Sequence, residues 1–222
     1  MVIENGGTYI LYYSVSTLGS RNSVIGYATS TTMEPGSWVD HGSLGIESTV
    51  GDDYNAIDPT MVLVDGSYHL SFGSYWEDIM QVTFDETATK PTGALFQTIY
   101  QPAGNHAVEA SYPFQYGQFF YMFWSEGQSS DYITDMPPAG GEYKIRVCRS
   151  FVIGGPYTDY NGVSCLEGGG LTVLASHGDV YAPGAQGIID DPAYGPIMYY
   201  RYGEFLRPLP AQVIAIVETR SF

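Results

Sequence analysis

Short runs of alternating apolar and polar residues recur along this chain, and the clearest of them follow a glycine and are rich in aromatic residues. These runs span residues 7–14, 66–74, 117–125 and 195–200. Three further runs alternate in a similar way, at residues 23–30, 79–84 and 143–150. Alternation over such short stretches, bounded by glycine and other turn residues, is typical of half-buried β-strands. The pattern therefore predicts an all-β protein.

The aromatic runs also recur at long intervals, which indicates a repeated structural unit. Their glycines are Gly7, Gly66, Gly117 and Gly195, with successive separations of 51 to 78 residues. Units of roughly this length, each with several short strands, are typical of β-propeller blades. A continuous β-sandwich with the same number of strands is the structural alternative, but it does not explain why acidic residues hold matching positions in two units.

Two acidic residues hold such matching positions. Asp58 and Glu109 each lie eight residues before the glycine of an aromatic run, Gly66 or Gly117. Equivalent positions in packed repeats face the same region, so we expect the two carboxylates to converge on one site. Glycoside hydrolysis needs paired carboxylates, because one acid protonates the leaving oxygen while the opposite face of the sugar is attacked. The alternative for each acid is an ordinary turn or edge residue.

The neighbours of the two acids favour different tasks. Pro59 follows Asp58 directly and biases it toward an extended conformation at a strand entrance. Glu109 follows Ala107 and Val108, and this apolar setting suits a carboxyl group to proton donation near neutral pH. We therefore expect Glu109 to be a general acid.

Composition narrows both the fold and the ligand. Twenty tyrosines, ten phenylalanines and 27 glycines stand against eight lysines and arginines, which is poor material for long amphipathic helices. The formal net charge of −16 disfavours nucleic acid and anionic membranes, since both require clustered basic residues. No stretch approaches the roughly 20 apolar residues of a membrane span. A neutral ligand is compatible with such a surface.

A few other side chains have candidate roles. Trp76 comes just after one aromatic run and Trp124 lies at the end of the corresponding run in the next unit. Exposed rings at such places stack on sugar faces, but buried rings merely pack. Cys148 and Cys165 lie seventeen positions apart, and both a disulfide and two buried thiols are compatible with that spacing. His177 either ligates a cation or completes a turn.

Several segments form a recognisable set: Asn-Ala-Ile-Asp-Pro at residues 55–59, Phe-Gly-Ser-Tyr-Trp at 72–76 and Val-Glu-Ala-Ser at 108–111. With these segments the sequence resembles the arabinanases of glycoside hydrolase family 43, in particular the fungal endo-1,5-α-L-arabinanases, over roughly residues 7–202. The resemblance implies a five-bladed β-propeller that hydrolyses α-1,5-linked arabinan with inversion, through three carboxylates at the end of a central channel. It places Glu109 on the general acid and Asp58 on the pKa modulator that orients this acid.

The resemblance also implies the surroundings of the site. The implied substrate-binding residues are Asn55, Ala56, Ile57, Phe72, Ser74, Trp76 and Trp124. No cofactor is required, but a structural calcium or sodium ion in the central channel, near His177 and Gln186, is a candidate. The expected protein is an extracellular monomer that binds arabinan or arabino-oligosaccharides.

The two ends of the chain depart from the family pattern. The third carboxylate, the catalytic base Asp, lies in the family's first blade in a His-Asp-Pro kind of segment, and no such segment occurs in this sequence. We expect residues 1–203 to form a partial propeller of about blades two to five, whose first unit lacks its opening strand. Residues 204–222 are expected to be an atypical tail, either a closing strand or unrelated to the fold. The first seven residues show no secretion signal.

Three functional hypotheses follow. The missing base predicts an arabinanase chain that is weak or inactive, because loss of a general base commonly costs about 10²–10⁴ in rate. The alternative is a non-catalytic arabinan-binding propeller. A third hypothesis is an open array of sheets whose exposed strand edges leave no stable product.

Overall fold

The computed structural model of the chain describes residues 1–203 and 213–218, and every regular element in them is a β-strand. The strands are β1 Val2–Asn5, β2 Thr8–Ser16, β3 Ser23–Ser30, β4 Val39–Ser48, β5 Thr60–Val64, β6 Ser67–Phe72, β7 Ile79–Phe84, β8 Phe96–Ile99, β9 Val108–Tyr116, β10 Phe119–Glu126, β11 Lys144–Ser150, β12 Leu171–Leu174, β13 Tyr181–Asp191, β14 Gly195–Gly203 and β15 Val213–Glu218. They form four antiparallel sheets of consecutive strands: sheet 1 is β1 to β4, sheet 2 is β5 to β8, sheet 3 is β9 to β12 and sheet 4 is β13 to β15.

The seven alternating runs coincide closely with seven of these fifteen strands, and the all-β prediction is confirmed. The four aromatic runs are β2, β6, β10 and β14, which are the second strands of the four sheets. Turn residues at the ends of the runs explain why these strand bounds could be predicted. Asp65 and Gly66, for example, both have positive φ (48° and 79°), as a two-residue hairpin between β5 and β6 requires.

Sheet 1 corrects one prediction, because its first unit does not lack an opening strand. β1 pairs antiparallel with β2, with Val2 opposite Leu11 and Asn5 opposite Thr8. The prediction was wrong because β1 is four residues long, too short for alternation to be visible. Only Gly6 and Gly7 separate it from β2, so the hairpin looks like the start of a single strand.

Three apolar layers hold the successive sheets together. Tyr12, Ile25 and Phe72 lie between sheets 1 and 2, Ile79, Met122 and Trp124 between sheets 2 and 3, and Phe123, Ile188 and Met198 between sheets 3 and 4. Because side chains alternate along a strand, neighbours on β10 enter opposite layers. The stacking places β9 against both β5 and β13, so the first strands of three sheets lie together.

A disulfide ties the long loop after β11 to its own sheet. Cys148 on β11 is bonded to Cys165, with Cα atoms 6.6 Å apart. Of the two alternatives compatible with the sequence, the structure contains the disulfide. The loop also contacts the end of sheet 2, because the Tyr100 N–H donates to the Cys165 carbonyl oxygen at 2.8 Å.

The segment predicted as a tail, residues 204–222, is described in part. Val213–Glu218 forms β15, which pairs antiparallel with β14, so this part is a closing strand of sheet 4. Residues 204–212 and 219–222 lie outside the described residues, and the domain boundary at residue 203 stays a prediction. In the part of the chain that the structure describes, no helix has the length and hydropathy that crossing a membrane requires.

Candidate active site

The two acids in matching positions lie where the first strands of sheets 2 and 3 begin. Asp58 is two residues before β5, and Glu109 is the second residue of β9. The structure brings them together as expected, since the backbone N–H of Ala110, next to Glu109, donates to Asp58 Oδ2 at 3.2 Å. Both side chains are half-buried, so they remain within reach of a ligand.

Two hydroxyl groups fix the Glu109 carboxylate. Tyr143 Oη donates to Oε1 at 2.8 Å, and Ser74 Oγ donates to Oε2 at 2.9 Å. Both donors are buried, with 1% and 2% of their surface exposed. Burial raises the pKa of Tyr143 well above its ordinary value, and the Glu109 charge acts in the same direction. The phenol therefore keeps its proton and remains a donor.

Asp58 is a much weaker acid than an ordinary aspartate. Burial raises its pKa from 3.8 to about 7, with the charge of Glu109 adding to the effect, while the Ala110 N–H and the Arg201 charge oppose it. A sizeable fraction of the Asp58 carboxyl groups is therefore protonated near neutral pH. Because Asp58 changes its charge near neutral pH, it can alter the tendency of the neighbouring Glu109 to donate a proton. The role of Asp58 as a pKa modulator stays a prediction.

The backbone around the two acids is strained. Asp58, Tyr75, Trp76 and Ala110 all have φ between 52° and 56°, a left-handed conformation that costs a non-glycine residue about 1–3 kcal/mol. For Asp58 this corrects the extended conformation expected from Pro59, because the local contacts outweigh the bias of the proline. Such conformations persist only where the surrounding structure holds them, and they cluster at functional sites. The strain thus marks the same place as the carboxylates.

Sheet 4 holds the site through an amide. Gln186 on β13 accepts a hydrogen bond from Ser125 Oγ and donates through Nε2 to the Ala110 carbonyl oxygen, both at 2.8 Å. The Ser125 hydroxyl also accepts from the Ala185 N–H at 2.9 Å. The residue that follows Glu109 is therefore tied to sheet 2 by its N–H and to sheet 4 by its carbonyl group.

The ring of Tyr143 is itself held on two sides by sheet 4. Gly184 lies so close that a Cβ atom there would come within 2.1 Å of the ring. The Arg201 guanidinium lies 5.3 Å from the ring centre, a distance at which cation and ring attract. Groups from three sheets thus orient one carboxylate between two donors, an arrangement that can deliver a proton in a fixed direction.

Comparison with known proteins identifies the family. The sequence profile of the glycosyl hydrolases family 43 matches residues 1–212. The chain belongs to this family. The arabinan endo-1,5-alpha-L-arabinosidase A of Aspergillus niger is 52% identical over 196 residues, which are 88% of this chain and 61% of the relative. The protein of the same name from Aspergillus aculeatus is 50% identical over the same shares. The chain thus spans about 61% of the length of these curated relatives.

Solved structures share the fold. The GH43 endo-arabinanase from Bacillus licheniformis superimposes with a TM-score of 0.87 at 33% identity, covering 98% of this chain and 71% of that one. An exo-1,5-alpha-L-arabinanase from a bovine ruminal metagenomic library gives a TM-score of 0.86 at 28% identity, covering 97% and 71%. The family resemblance seen in the sequence is therefore confirmed.

Two of the predicted substrate contacts in this family 43 chain keep some exposed surface. Trp76 and Ile57 are both half-buried. The Arg21 guanidinium lies 5.5 Å from the centre of the Trp76 ring, and Tyr75 meets that ring edge-on at 6.2 Å. Both residues stay predictions as substrate contacts.

The other predicted substrate contacts are buried. Trp124 is 0% exposed in the layer between sheets 2 and 3, so the prediction of a stacking ring there was wrong. Ala56 and Phe72 are equally inaccessible between sheets 1 and 2. Asn55 is buried and accepts a hydrogen bond from Ser23 Oγ at 2.6 Å. Ser74, also buried, uses its hydroxyl on the Glu109 carboxylate.

The residues expected near a channel ion have other partners. His177 is exposed in a turn, with Nδ1 2.9 Å from the Ala175 carbonyl oxygen, and Gln186 Oε1 already accepts from Ser125. Among the described residues, no group of three or more His, Cys, Asp or Glu side chains could hold a metal ion. These residues do not fit an ion as direct ligands, so no step below involves one, and the ion itself stays a prediction.

Sequence reasoning missed three residues of the site: Tyr143, Ser125 and Arg201. Tyr143 is one of twenty tyrosines, and nothing local shows that its ring meets Glu109. The sequence does contain a signal for Arg201. Only eight residues of the chain are lysine or arginine, and a basic residue on an aromatic strand needs a partner.

Proposed function

We propose that this protein hydrolyses internal α-1,5-arabinofuranosidic linkages in arabinan, as an inverting glycoside hydrolase. The observation that carries the proposal is the Glu109 carboxylate, oriented by the Tyr143 and Ser74 hydroxyls with Asp58 beside it. The name of the Aspergillus niger relative supports the substrate. The proposed complete architecture is a five-bladed propeller in which sheets 1 to 4 are successive blades.

Glu109 acts as the general acid. Its proton passes to the oxygen that leaves the anomeric carbon, while a water molecule attacks that carbon from the opposite face. The bond from carbon to leaving oxygen breaks as the bond to the water oxygen forms, and a carboxylate base takes the proton of the water. Tyr143 and Ser74 orient the acid, and Asp58 tunes it.

The base is the part of this mechanism that the 222 residues do not supply. The family segment that carries it has no counterpart in the sequence, and inversion needs that carboxylate about 6.5–9.5 Å from the acid. The 222-residue polypeptide by itself is therefore a weak catalyst, about 10²–10⁴ slower than a site with its base in place.

The protein acts outside the cell, as a monomer on a neutral polysaccharide. The bond between Cys148 and Cys165 supports an oxidising compartment, and the net charge of −16 is compatible with an uncharged substrate. No cofactor takes part in the reaction, and a calcium or sodium ion in the channel would have a structural role, with ligands other than His177 and Gln186.

Product analysis of the purified 222-residue protein on linear α-1,5-arabinan tests the proposal, with linear β-1,4-galactan as the control polysaccharide. We expect slow release of arabino-oligosaccharides of several lengths, with inverted configuration at the new reducing ends by NMR. Glu109→Gln should lower the rate about 10²-fold or more. Products of retained configuration, or equal rates for both proteins, contradict the proposal.

A non-catalytic arabinan-binding role is the second candidate, favoured by the partly exposed Trp76 ring beside Arg21. It requires retardation of the protein in arabinan gels without turnover, and loss of that retardation in Trp76→Ala. Migration unaffected by arabinan excludes this candidate.

A further inference from the structure

Near Glu109, a buried acid and a histidine face each other. Asp78 is 0% exposed, and its Oδ1 lies 3.5 Å from Nδ1 of His106. Both atoms are buried, and neither has a hydrogen-bond partner among the described residues. Buried polar atoms are nearly always paired. With its proton on Nδ1, His106 brings a donor within 3.5 Å of the acceptor that needs one.

The two side chains close a ring of contacts. The Asp78 N–H donates to the Tyr75 carbonyl oxygen at 2.9 Å, and the Tyr75 N–H donates to the Val108 carbonyl oxygen at 3.0 Å. The Val108 N–H donates to the His106 carbonyl oxygen at 2.8 Å. The contact between His106 and Asp78 completes the ring, which joins the loop after β6 to the residues that open β9.

Two members of this ring are direct chain neighbours of the active-site groups. Ser74 precedes Tyr75, Glu109 follows Val108, and the Ser74 hydroxyl donates to Glu109 Oε2 at 2.9 Å. The ring therefore fixes the backbone on both sides of that hydrogen bond. Loosening it would change the distance between the acid and one of its two donors.

The ring also has to hold strained backbone in place. Tyr75, Asp78 and His106 have φ of 56°, 55° and 54°, and conformations of this kind persist only where surrounding contacts enforce them. A lost contact in the ring would let these residues relax toward ordinary backbone conformations.

The surroundings of Asp78 are buried and acidic, so a hydrogen-bond donor from His106 would stabilise its carboxylate. Burial raises the pKa of Asp78 to about 7, although the Gln101 N–H, which donates to Oδ2 at 2.6 Å, opposes the rise. The charges of Glu126 and Glu77 act in the same direction as burial. A donor from His106 therefore compensates an acid that is otherwise surrounded by like charge.

We propose that Asp78 and His106 form a positioning pair, which holds Glu109 and its donor Ser74 in the relative position that proton donation needs. The pair acts through the backbone of Tyr75 and Val108. This inference rests on the proposed function of Glu109 and deepens it.

Its test compares His106→Ala with His106→Asn in the full chain. Asparagine keeps a donor near the position of Nδ1, whereas alanine removes it. His41→Ala, on the exposed part of β4, is the control. On linear α-1,5-arabinan we expect His106→Ala to lower kcat about 10²-fold with KM changed less than about threefold, because misplacing a catalytic group by about 1 Å costs that much. His106→Asn should restore most of kcat, and His41→Ala should change neither constant.

Hydrogen exchange gives a readout that does not depend on turnover. The amides of Tyr75 and Asp78 should exchange at least about tenfold faster in His106→Ala and near the wild-type rate in His106→Asn.

Unchanged kcat in His106→Ala, next to an active wild type, overturns the inference and leaves the proposed function intact. If the wild type does not cleave arabinan, the proposed function fails and the exchange rates decide: acceleration reversed by asparagine supports the pair, and unchanged rates overturn it.

Discussion

Each oxygen of the Glu109 carboxylate has its own donor, and both donors are distant in sequence. Tyr143 is 34 residues away and Ser74 is 35 residues away. A general acid works only if its proton points at the leaving oxygen, so these two bonds matter more for direction than for stability. Of the two donors, the buried Tyr143 depends on more contacts for its position, because sheet 4 also fixes its ring.

Replacing Tyr143 with phenylalanine should lower arabinan cleavage about 10–100-fold, since a hydrogen bond to a charged group contributes about 1.5–3 kcal/mol. The half-buried Glu109 can take water in place of the lost hydroxyl, so the folded state should lose little stability. Tyr194→Phe, at a position 68% exposed, is the matched control. Steady-state kinetics with both variants checks this, and equal rates would show that the hydroxyl does not orient the acid.

Asp58 makes stability depend on pH in a direction opposite to that of most acids. Its pKa is raised from 3.8 to about 7, so between these values the folded state holds a proton that the unfolded state releases. The stabilisation is fully present below about pH 4 and is lost as pH rises through about 7, a change on the order of 1–3 kcal/mol.

The variant Asp58→Asn should therefore flatten the fall in the free energy of unfolding between pH 5 and 7. Asp65→Asn, in an exposed turn, is the control and should keep the wild-type slope. Urea unfolding at several pH values measures both. Equal slopes in the two variants would show that Asp58 titrates as an ordinary aspartate.

At the scale of single residues, the sequence predicts position better than burial. The matching positions of Asp58 and Glu109 suffice to bring them together, because equivalent places in stacked repeats converge. A matching position in the repeat does not predict whether the Trp124 ring is exposed, since the layer that a ring enters depends on how the neighbouring sheet packs. Tyr143 is missed for the same reason, because its partner belongs to a different strand and a different part of the repeat.

At the scale of elements, alternation and turn chemistry predict seven of the fifteen described strands, including the bounds of β3 and β7. They fail for β1, where four residues and a two-glycine hairpin carry too little pattern. The site itself is built where elements from different sheets meet, and those contacts follow from packing rather than from local sequence.

The close approach of β13 to Tyr143 gives a test of that packing. In Gly184→Ala the new Cβ would come within 2.1 Å of the ring, so the ring or the strand must shift, at a cost of about 1–3 kcal/mol. We expect a lower melting temperature together with lower activity. Gly51→Ala, whose Cβ would have no neighbour closer than 3.7 Å, should behave like the wild type, and a similar result for Gly184→Ala would exclude a tight contact.

The disulfide should stabilise the loop after β11 rather than create the site. Replacing both Cys148 and Cys165 with serine frees a loop of seventeen residues, which should lower the free energy of unfolding by about 2–4 kcal/mol. Because this loop is hydrogen-bonded to Tyr100, whereas the Glu109 carboxylate is held by Ser74 and Tyr143, the rate per folded molecule should fall much less. Denaturant unfolding and kinetics below the transition check both parts, and an unchanged unfolding midpoint would contradict the first.

At the scale of the whole molecule, stacked sheets bring the first strands of sheets 2, 3 and 4 together, and the active-site groups lie at one end of them. Sheets 2 and 3 supply the carboxylates and their donors, while sheet 4 supplies the support from Gln186 and Arg201. Under the proposed function, the proton donor Glu109 therefore has its orienting groups in sheets 2, 3 and 4, and the base is the part that is not assigned to any of them.

The most direct test is cleavage of linear α-1,5-arabinan by the 222-residue protein with and without sodium azide. Azide is a nucleophile that needs no base, so it should attack the anomeric carbon while Glu109 still protonates the leaving oxygen. We predict faster chain cleavage with azide, products ending in an arabinosyl azide of inverted configuration, and loss of this gain in Glu109→Gln. No gain with azide, or the same gain in Glu109→Gln, would contradict the claim that the general acid is in place and the base is missing.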